Sequence, residues 1–429
     1  MIATLSQSFP TLMQEHGILL IFVFAFGACV GSFVNVVNYR LPAGMSVSRP
    51  PSRCPVCGIR LRFFKENLPI IGWLLLRGKC RTCETKISVE YVLFEIFMGL
   101  LFVGLYAILY MVSPGSGYLG EIGGGWWHYN GFLLTWPSYF ALAFLLSALV
   151  SMTIIDARTF TIPIQVPLFA IGCILVFDVL QCVMPLTKAG VTWAKPCGDW
   201  AMVGSSAFGA LGILISQILL WTGVFKISFL DYDDYVKEGD VLAEYPHARR
   251  EMKHEILFLT PIILGLVGGW YLGGLMGGDA PPLLLQVLGG TGMGYFMGAG
   301  LVWAIRILGT LSFGREAMGL GDVHLLGAVG AGLGWFEPIL IFFVAPFSGI
   351  LWFIFSAGIG VIFKGLDKEL PYGPHLAVAT LLVVLGRPAI ADTWAKWFRD
   401  IPLPQAERVV DQPDQTEDGR LIPRVSNRR

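Results

Sequence analysis

"MGLGDVHLLGAVGAGLG", Met318 to Gly334, sets one aspartate, Asp322, at the mouth of an apolar run, with Gly319 and Gly321 just before it. An acid so near hydrocarbon is costly unless it is paired, hydrated or useful. The stretch therefore reads as a helix entering a bilayer from its polar edge. The rest of the chain agrees. Hydrophobic residues make up 55% of 429 residues and charged residues 14%, and apolar runs long enough to span a bilayer recur from end to end. The fold class is an all-α polytopic membrane protein. The formal net charge is zero, so there is no electrostatic case for a nucleic-acid partner; the lipid bilayer is the partner that composition demands. The N-terminus shows neither a basic region nor a small-residue cleavage site, so no removable signal peptide is expected.

Hydropathy gives about ten spans, at 17–39, 89–112, 137–155, 164–182, 200–225, 257–275, 284–308, 323–336, 338–363 and 374–388. Lys and Arg orient them. Residues 40–86 hold ten basic residues and the next loop, 113–136, holds none. The first loop is thus expected in the cytoplasm. Alternation then brings Asp156, the stretch 226–256, Asp322 and 364–373 to the same side. The organisation read from this is a first transmembrane helix (1–39) and a cytoplasmic tetracysteine loop (40–88). Transmembrane helices with the first aspartate (89–182) follow, then an inserted helix pair with a charged stretch (183–283). Further transmembrane helices (284–390) and a polar, disordered tail (391–429) complete it. The loop 183–199 falls outside, where a Cys182–Cys197 disulfide is open to formation.

"CPVCGIRLRFFKENLPIIGWLLLRGKCRTC" spaces Cys54, Cys57, Cys80 and Cys83 as C-x2-C-x22-C-x2-C. Two such knuckles let four thiolates meet around one Zn²⁺, and four sulfurs leave no open position, so the site is expected to be structural. Nearby basic residues favour thiolate.

Asp156 closes the third span in "SMTIIDARTFTIP" and Asp322 opens the eighth. Either alone reads best as a helix cap or a solvated boundary residue. Two acids at one depth, one framed by glycines, point instead to a carboxylate pair. Such a pair shares a proton, one member acting as base on water while the other donates to a carbonyl.

At these residues the chain resembles the type IV prepilin peptidases, membrane aspartyl proteases of the GxGD class. "GSFVNVVNYRLP" (31–42) resembles the family's first-helix signature, and "ENLP" and "LRGKCRTC" recur in its cysteine loop. "IDARTFTIP" and "MGLGDVHLLGAVGAGLG" resemble its two catalytic segments, and "LPYGPHLAVAT" (370–380) its closing cytoplasmic turn. The resemblance implies a bifunctional enzyme of the bacterial inner membrane. Such an enzyme cuts the basic leader from prepilins or pseudopilins at the cytoplasmic face and methylates the new N-terminus with S-adenosylmethionine. It implies Asp156 and Asp322 as the catalytic pair and the cysteine loop as the zinc-bearing portion. Three departures stand out. Ile164 replaces a frequent acid, His324 replaces a common Lys, and four spans rather than two separate the aspartates. The insert's clustered acids read best as a solvated hairpin. No glycine-rich strand-to-helix turn marks a site for the methyl donor, and His247, His254 and His375 carry no assignable role.

Three rivals stay open: a peptidase that no longer methylates, a membrane transporter, and an inactive assembly scaffold. A transporter predicts acids near the bilayer middle and internal repeats, and neither is read here.

Overall fold

The computed structural model describes residues 9–62, 64–184, 198–235, 245–277, 279–360, 371–398, 411–415 and 421–424. The chain divides into two compact units, residues 1–133 and 134–429. Among the described residues, eight helices are long and apolar enough to cross a membrane.

In the first unit, α1 (Phe9–Arg40) packs along α3 (Glu90–Tyr106), which runs on as a π-helical turn at Ala107–Met111. Gly31 allows that approach, because a methyl group there would sit 2.9 Å from Met98 Cβ. Between them lies a loop with one short helix, α2 (Ile71–Leu75). Two further short helices, α4 (Tyr118–Gly123) and α5 (Gly125–Asn130), follow α3. Tyr110 and Trp127 meet edge to face there. This is the ring packing expected where amphipathic aromatics gather beside a span.

The second unit is built from α6 (Phe132–Thr159), α7 (Gln165–Val183), α8 (Trp200–Trp221), α9 (Ala248–Gly274), α10 (Leu283–Phe313), α11 (Leu320–Leu333), α12 (Glu337–Gly360), α13 (Tyr372–Leu385) and α14 (Arg387–Trp397). Its core is α11. Val323, Leu325, Leu326, Ala328, Val329 and Ala331 have no exposure at all, and α7, α10, α12 and α13 pack around them. Gly294 of α10 and Gly330 of α11 let the two backbones touch, since a Cβ at either would fall within about 2.1 Å of the other's carbonyl oxygen. Small residues at a crossing are how membrane helices gain packing when lipid competes for apolar surface. Outward-facing side chains such as Trp221 (91% exposed), Leu351 and Phe347 are large and apolar. They suit a hydrocarbon solvent.

The expected ten spans become eight, or nine if α13 and α14, bent by 69°, count as one broken span. The difference arises at α11 and, unless the bent pair is counted, at α13, which has 14 residues. Helix α11 also has 14 residues, about 21 Å of rise, and ends at Gly334, whose φ of 113° suits glycine alone. A helix wrapped by other helices needs no lipid-spanning length. The sixth span also begins earlier than hydropathy placed it, at Ala248 instead of 257. Its charged first turns stay helical because Arg249 and Glu255 find protein partners. In the tail, β1 (Asp411–Gln415) and β2 (Leu421–Arg424) pair antiparallel.

Candidate functional site: two aspartates on a glycine-framed floor

Three segments far apart in sequence converge in the second unit. The last turn of α6 carries Asp156, the first turn of α11 carries Asp322, and the start of α13 carries Gly373. Both aspartates are buried, at 5% and 8% exposure. Asp156 Oδ2 accepts a 2.9 Å hydrogen bond from the Gly373 amide. That amide is one of the unpaired donors at the N-terminal end of a helix, and a carboxylate is its natural partner. Asp322 folds back toward Gly319, the residue that caps α11: a methyl there would lie 3.4 Å from Asp322 Oδ2. An acid at the third helical position reaching back in this way is half of a capping box. The two carboxylates lie close enough that the charge of Asp156 acts on Asp322.

Ile162 explains the glycines. A methyl group at Gly321 would fall 2.6 Å from Ile162 Cβ, and one at Gly373 would fall 3.2 Å from Ile162 Cδ1. The segment after α6 thus lies between the starts of α11 and α13, and any side chain at these two glycines would push the carboxylates apart. At Gly373 a methyl would also meet Asp156 Oδ2 at 2.5 Å. Phe160, at φ 54°, turns the chain sharply beneath the site.

His324 does not join the pair. Its Nδ1 lies 3.2 Å from the Tyr295 hydroxyl. His375 lies beside Ser348 at 3.3 Å. His247 and His254, in the region of α9, are not brought to the aspartates by any described contact. The Cys182–Cys197 pairing lies outside the described residues.

In the first unit the four cysteine sulfurs come together, all within 4.8 Å of one another. Cys54 and Cys83 are 3.7 Å apart, as are Cys57 and Cys80. Four sulfurs at about 2.3 Å from a central Zn²⁺ would form a tetrahedron with edges of about 3.8 Å, so this donor set fits a metal such as zinc. Each knuckle is the same small fold. Cys54 N donates to Ile59 O and Gly58 N to Cys54 O; Cys80 N donates to Thr85 O and Glu84 N to Cys80 O. Gly58 (φ 70°) and Glu84 (φ 55°) occupy the matching left-handed position. Hydrogen bonds from Thr85, side chain first and backbone second, bring the Cys83 thiol down to about 6. The amides of Cys57 and Val56 lower that of Cys54. Glu66 ties the loop together, accepting from the Arg62 amide at 3.0 Å and from Arg81 at 2.8 Å.

Three features escaped the sequence reading. The Gly373 amide could not be seen, because a backbone donor leaves no residue-type signal. Arg306, alone in the apolar run of α10, was legible as a buried cation in need of partners. It is 2% exposed and bound to Glu255 and Glu316. Asp178 corrects the statement that no acid lies in a span interior. It is fully buried in α7 and accepts from Thr291 on α10 at 2.8 Å.

The fold and the sites define a multi-pass α-helical membrane protein with two buried aspartates in one unit and, in the other, a loop of four clustered cysteines that could hold a metal. The description of a bacterial peptidase A24 N-terminal domain matches residues 25–109. The prepilin leader peptidase/N-methyltransferase of Aeromonas hydrophila is 25% identical over 403 residues, 88% of this chain and 92% of that protein. The one from Neisseria gonorrhoeae is 35% identical over 187 residues, 38% of this chain and 57% of the relative. The Myxococcus xanthus (strain DK1622) protein of the same name is 52% identical over 82 residues, a stretch covering 19% of this chain and 24% of the relative. No solved structure matches the chain. The chain is thus similar to the prepilin leader peptidase/N-methyltransferases along most of its length.

Proposed function

We propose that this protein is a membrane aspartyl endopeptidase that removes the leader of type IV prepilins or type II secretion pseudopilins, and that it N-methylates the residue exposed by the cut. The observation that supports the reading is that Ile162 packs against both Gly321, the neighbour of Asp322, and Gly373, whose amide binds Asp156. Two carboxylates in a partly dry site share one proton. The ionised member draws a proton from a water, whose oxygen attacks the scissile carbonyl carbon. The protonated member donates to the carbonyl oxygen, and collapse of the tetrahedral adduct expels the amine. Gly373, through its amide, and Gly319, by packing, hold the two carboxylates in register. Shielding by α10, α11 and α13 keeps bulk water from competing.

The substrate class follows from the setting. An apolar helix entering from the bilayer would present its basic leader at the charged face to which the ten basic residues of 40–86 assign the site, the cytoplasmic face of the bacterial inner membrane. The zinc would be structural, held by Cys54, Cys57, Cys80 and Cys83 and closing the loop. The methyl donor would be S-adenosylmethionine, and nothing in the described geometry assigns residues to it. Cleavage of a purified prepilin by the detergent-solubilised protein is the direct test. Asp156→Asn and Asp322→Asn should each abolish the cut, and the double variant should be no worse than either single, because the pair acts as a unit. Wild-type cutting by Asp322→Asn would overturn the mechanism. A methyl-transfer assay on the cleaved product decides the second activity.

A further inference from the structure

We propose that Arg306, clamped by Glu255, is a positioning residue for Asp322 and that α9 thereby takes part in building the proteolytic site. This inference rests on the peptidase reading above. Arg306 lies in the last third of α10, 2% exposed. Its Nε and Nη2 grip Glu255 of α9 side-on at 2.9 Å. Nη1 turns the other way, to the Glu316 carboxylate and the Met318 carbonyl oxygen. Phe229 closes the remaining face, 5.1 Å below the guanidinium. Glu255, 4% exposed, takes two more donors, Trp303 Nε1 at 2.8 Å and Ser228 Oγ at 3.2 Å.

The guanidinium therefore bridges a carboxylate on α9 to the six residues, 314–319, that join α10 to α11. Three consecutive members of that connection are held: Glu316 and Met318 by Arg306, and Ala317 by Thr310, whose hydroxyl accepts its amide at 3.1 Å. Met318 is followed directly by Gly319, the cap of α11, against which the Asp322 carboxylate packs, a methyl at Gly319 falling 3.4 Å from Asp322 Oδ2. Where the Met318 carbonyl is fixed, the first turn of α11 is fixed, and with it the carboxylate. A lysine has no planar fork and cannot serve Glu255 on one side and Met318 on the other. The charged stretch that runs into α9, expected to be a solvated hairpin, thus ends on that helix in a buried carboxylate that orients an arginine on the next span.

Removing one partner of a buried ion pair usually unfolds more than it reveals, whereas exchanging both for apolar residues often leaves stability intact. The test is therefore Glu255→Leu/Arg306→Met in the full-length protein, with steady-state cleavage of a prepilin in detergent and thermal unfolding measured together. The double variant should unfold near the wild-type temperature, with kcat at least ten-fold lower and KM within two-fold, as expected when substrate binds normally to a misplaced carboxylate. Arg306→Lys should recover less than half of kcat. Wild-type kcat in the double variant overturns the proposal. If the double variant does not fold, Glu316→Gln, a partly exposed site, decides instead: a fall in kcat of three-fold or more supports the clamp, and an unchanged kcat overturns it. Asp322→Asn run alongside separates the two levels. If it still cuts, the peptidase reading fails; if it is inactive while the clamp variants cut normally, only this inference fails.

Discussion

Gly373→Ala isolates the geometry of the aspartate site from the stability of the fold. The glycine sits in the first turn of α13 with an ordinary backbone, so alanine is conformationally welcome there and would by itself favour the helix by about 0.5–1 kcal/mol. Its methyl, however, would lie 2.5 Å from Asp156 Oδ2, where an ordinary contact begins near 3.4 Å. Carboxylate and helix must separate by about 0.9 Å, the difference of those two distances. That opens the 2.9 Å amide bond well past hydrogen-bond length. Loss of a hydrogen bond to a charged group costs about 1.5–3 kcal/mol, which at about 1.4 kcal/mol per decade is a ten- to hundred-fold loss of rate. A misplacement of about 1 Å gives a similar figure by another route, about a hundred-fold. Single-turnover cleavage of a prepilin by detergent-purified protein should therefore slow by ten- to hundred-fold, while the unfolding temperature stays within a few degrees of wild type. Gly349→Ala is the control, because its methyl would meet nothing closer than His375 at 3.8 Å. Cleavage by Gly373→Ala within two-fold of wild type would refute the claim that α13 fixes the working carboxylate.

Elemental analysis of protein purified under reducing conditions should find one zinc per chain, and Cys57→Ser should lose it; a metal-free wild type would remove the structural role of the loop. At Glu66, burial works against the charge, but the Arg62 amide and Arg81 outweigh it and hold the carboxyl below its ordinary 4.5. A depressed value means that this contribution is complete above about pH 4.5 and fades as pH falls through the lower folded value. Limited proteolysis of the loop should accelerate on acidification below pH 4.5, and Glu66→Gln, costing about 1–2 kcal/mol, should show the faster cutting already at pH 7. Single cysteines placed at Lys65 and Ser116, probed from outside the cell, should label only at Ser116. Equal labelling would reverse the orientation drawn from the basic residues.

The sequence made legible what depends on residue type and failed where backbone or partners decide. Cys54, Cys57, Cys80 and Cys83 announce themselves because only thiolates at that spacing close a tetrahedron. The structure brings their sulfurs within 4.8 Å. Asp156 and Asp322 were visible because an acid beside hydrocarbon needs a reason; Ile162 lies against Gly321, next to Asp322, and against Gly373, next to Asp156. The span count erred at α11 because hydropathy measures greasiness and cannot tell lipid from protein as the apolar surroundings. A 14-residue helix whose core side chains have no exposure is solvated by its neighbours.

The same limitation hid Arg306. Scales that score residues singly average a lone cation into an apolar window, whereas its cost in a membrane obliges a partner to exist. Reading "LVWAIRILGT" with that obligation in mind leads to a search for a buried acid, and the charged run before the preceding span supplies Glu255. Asp178 obeys the same logic, with Thr291 as the donor it requires. Each ionisable side chain inside a span is thus a statement about a second residue, and for Asp178 and Arg306 such a residue lies on a neighbouring helix. The pairings Asp178–Thr291 and Glu255–Arg306 attach α7 and α9 to α10, the helix whose end delivers Asp322. Other polar contacts, such as Ser205 to Leu266 O, Ser216 to Phe258 O and Gln181 to Leu134 O, tie further helix pairs of the second unit, beside the glycine crossings and apolar packing that hold the rest.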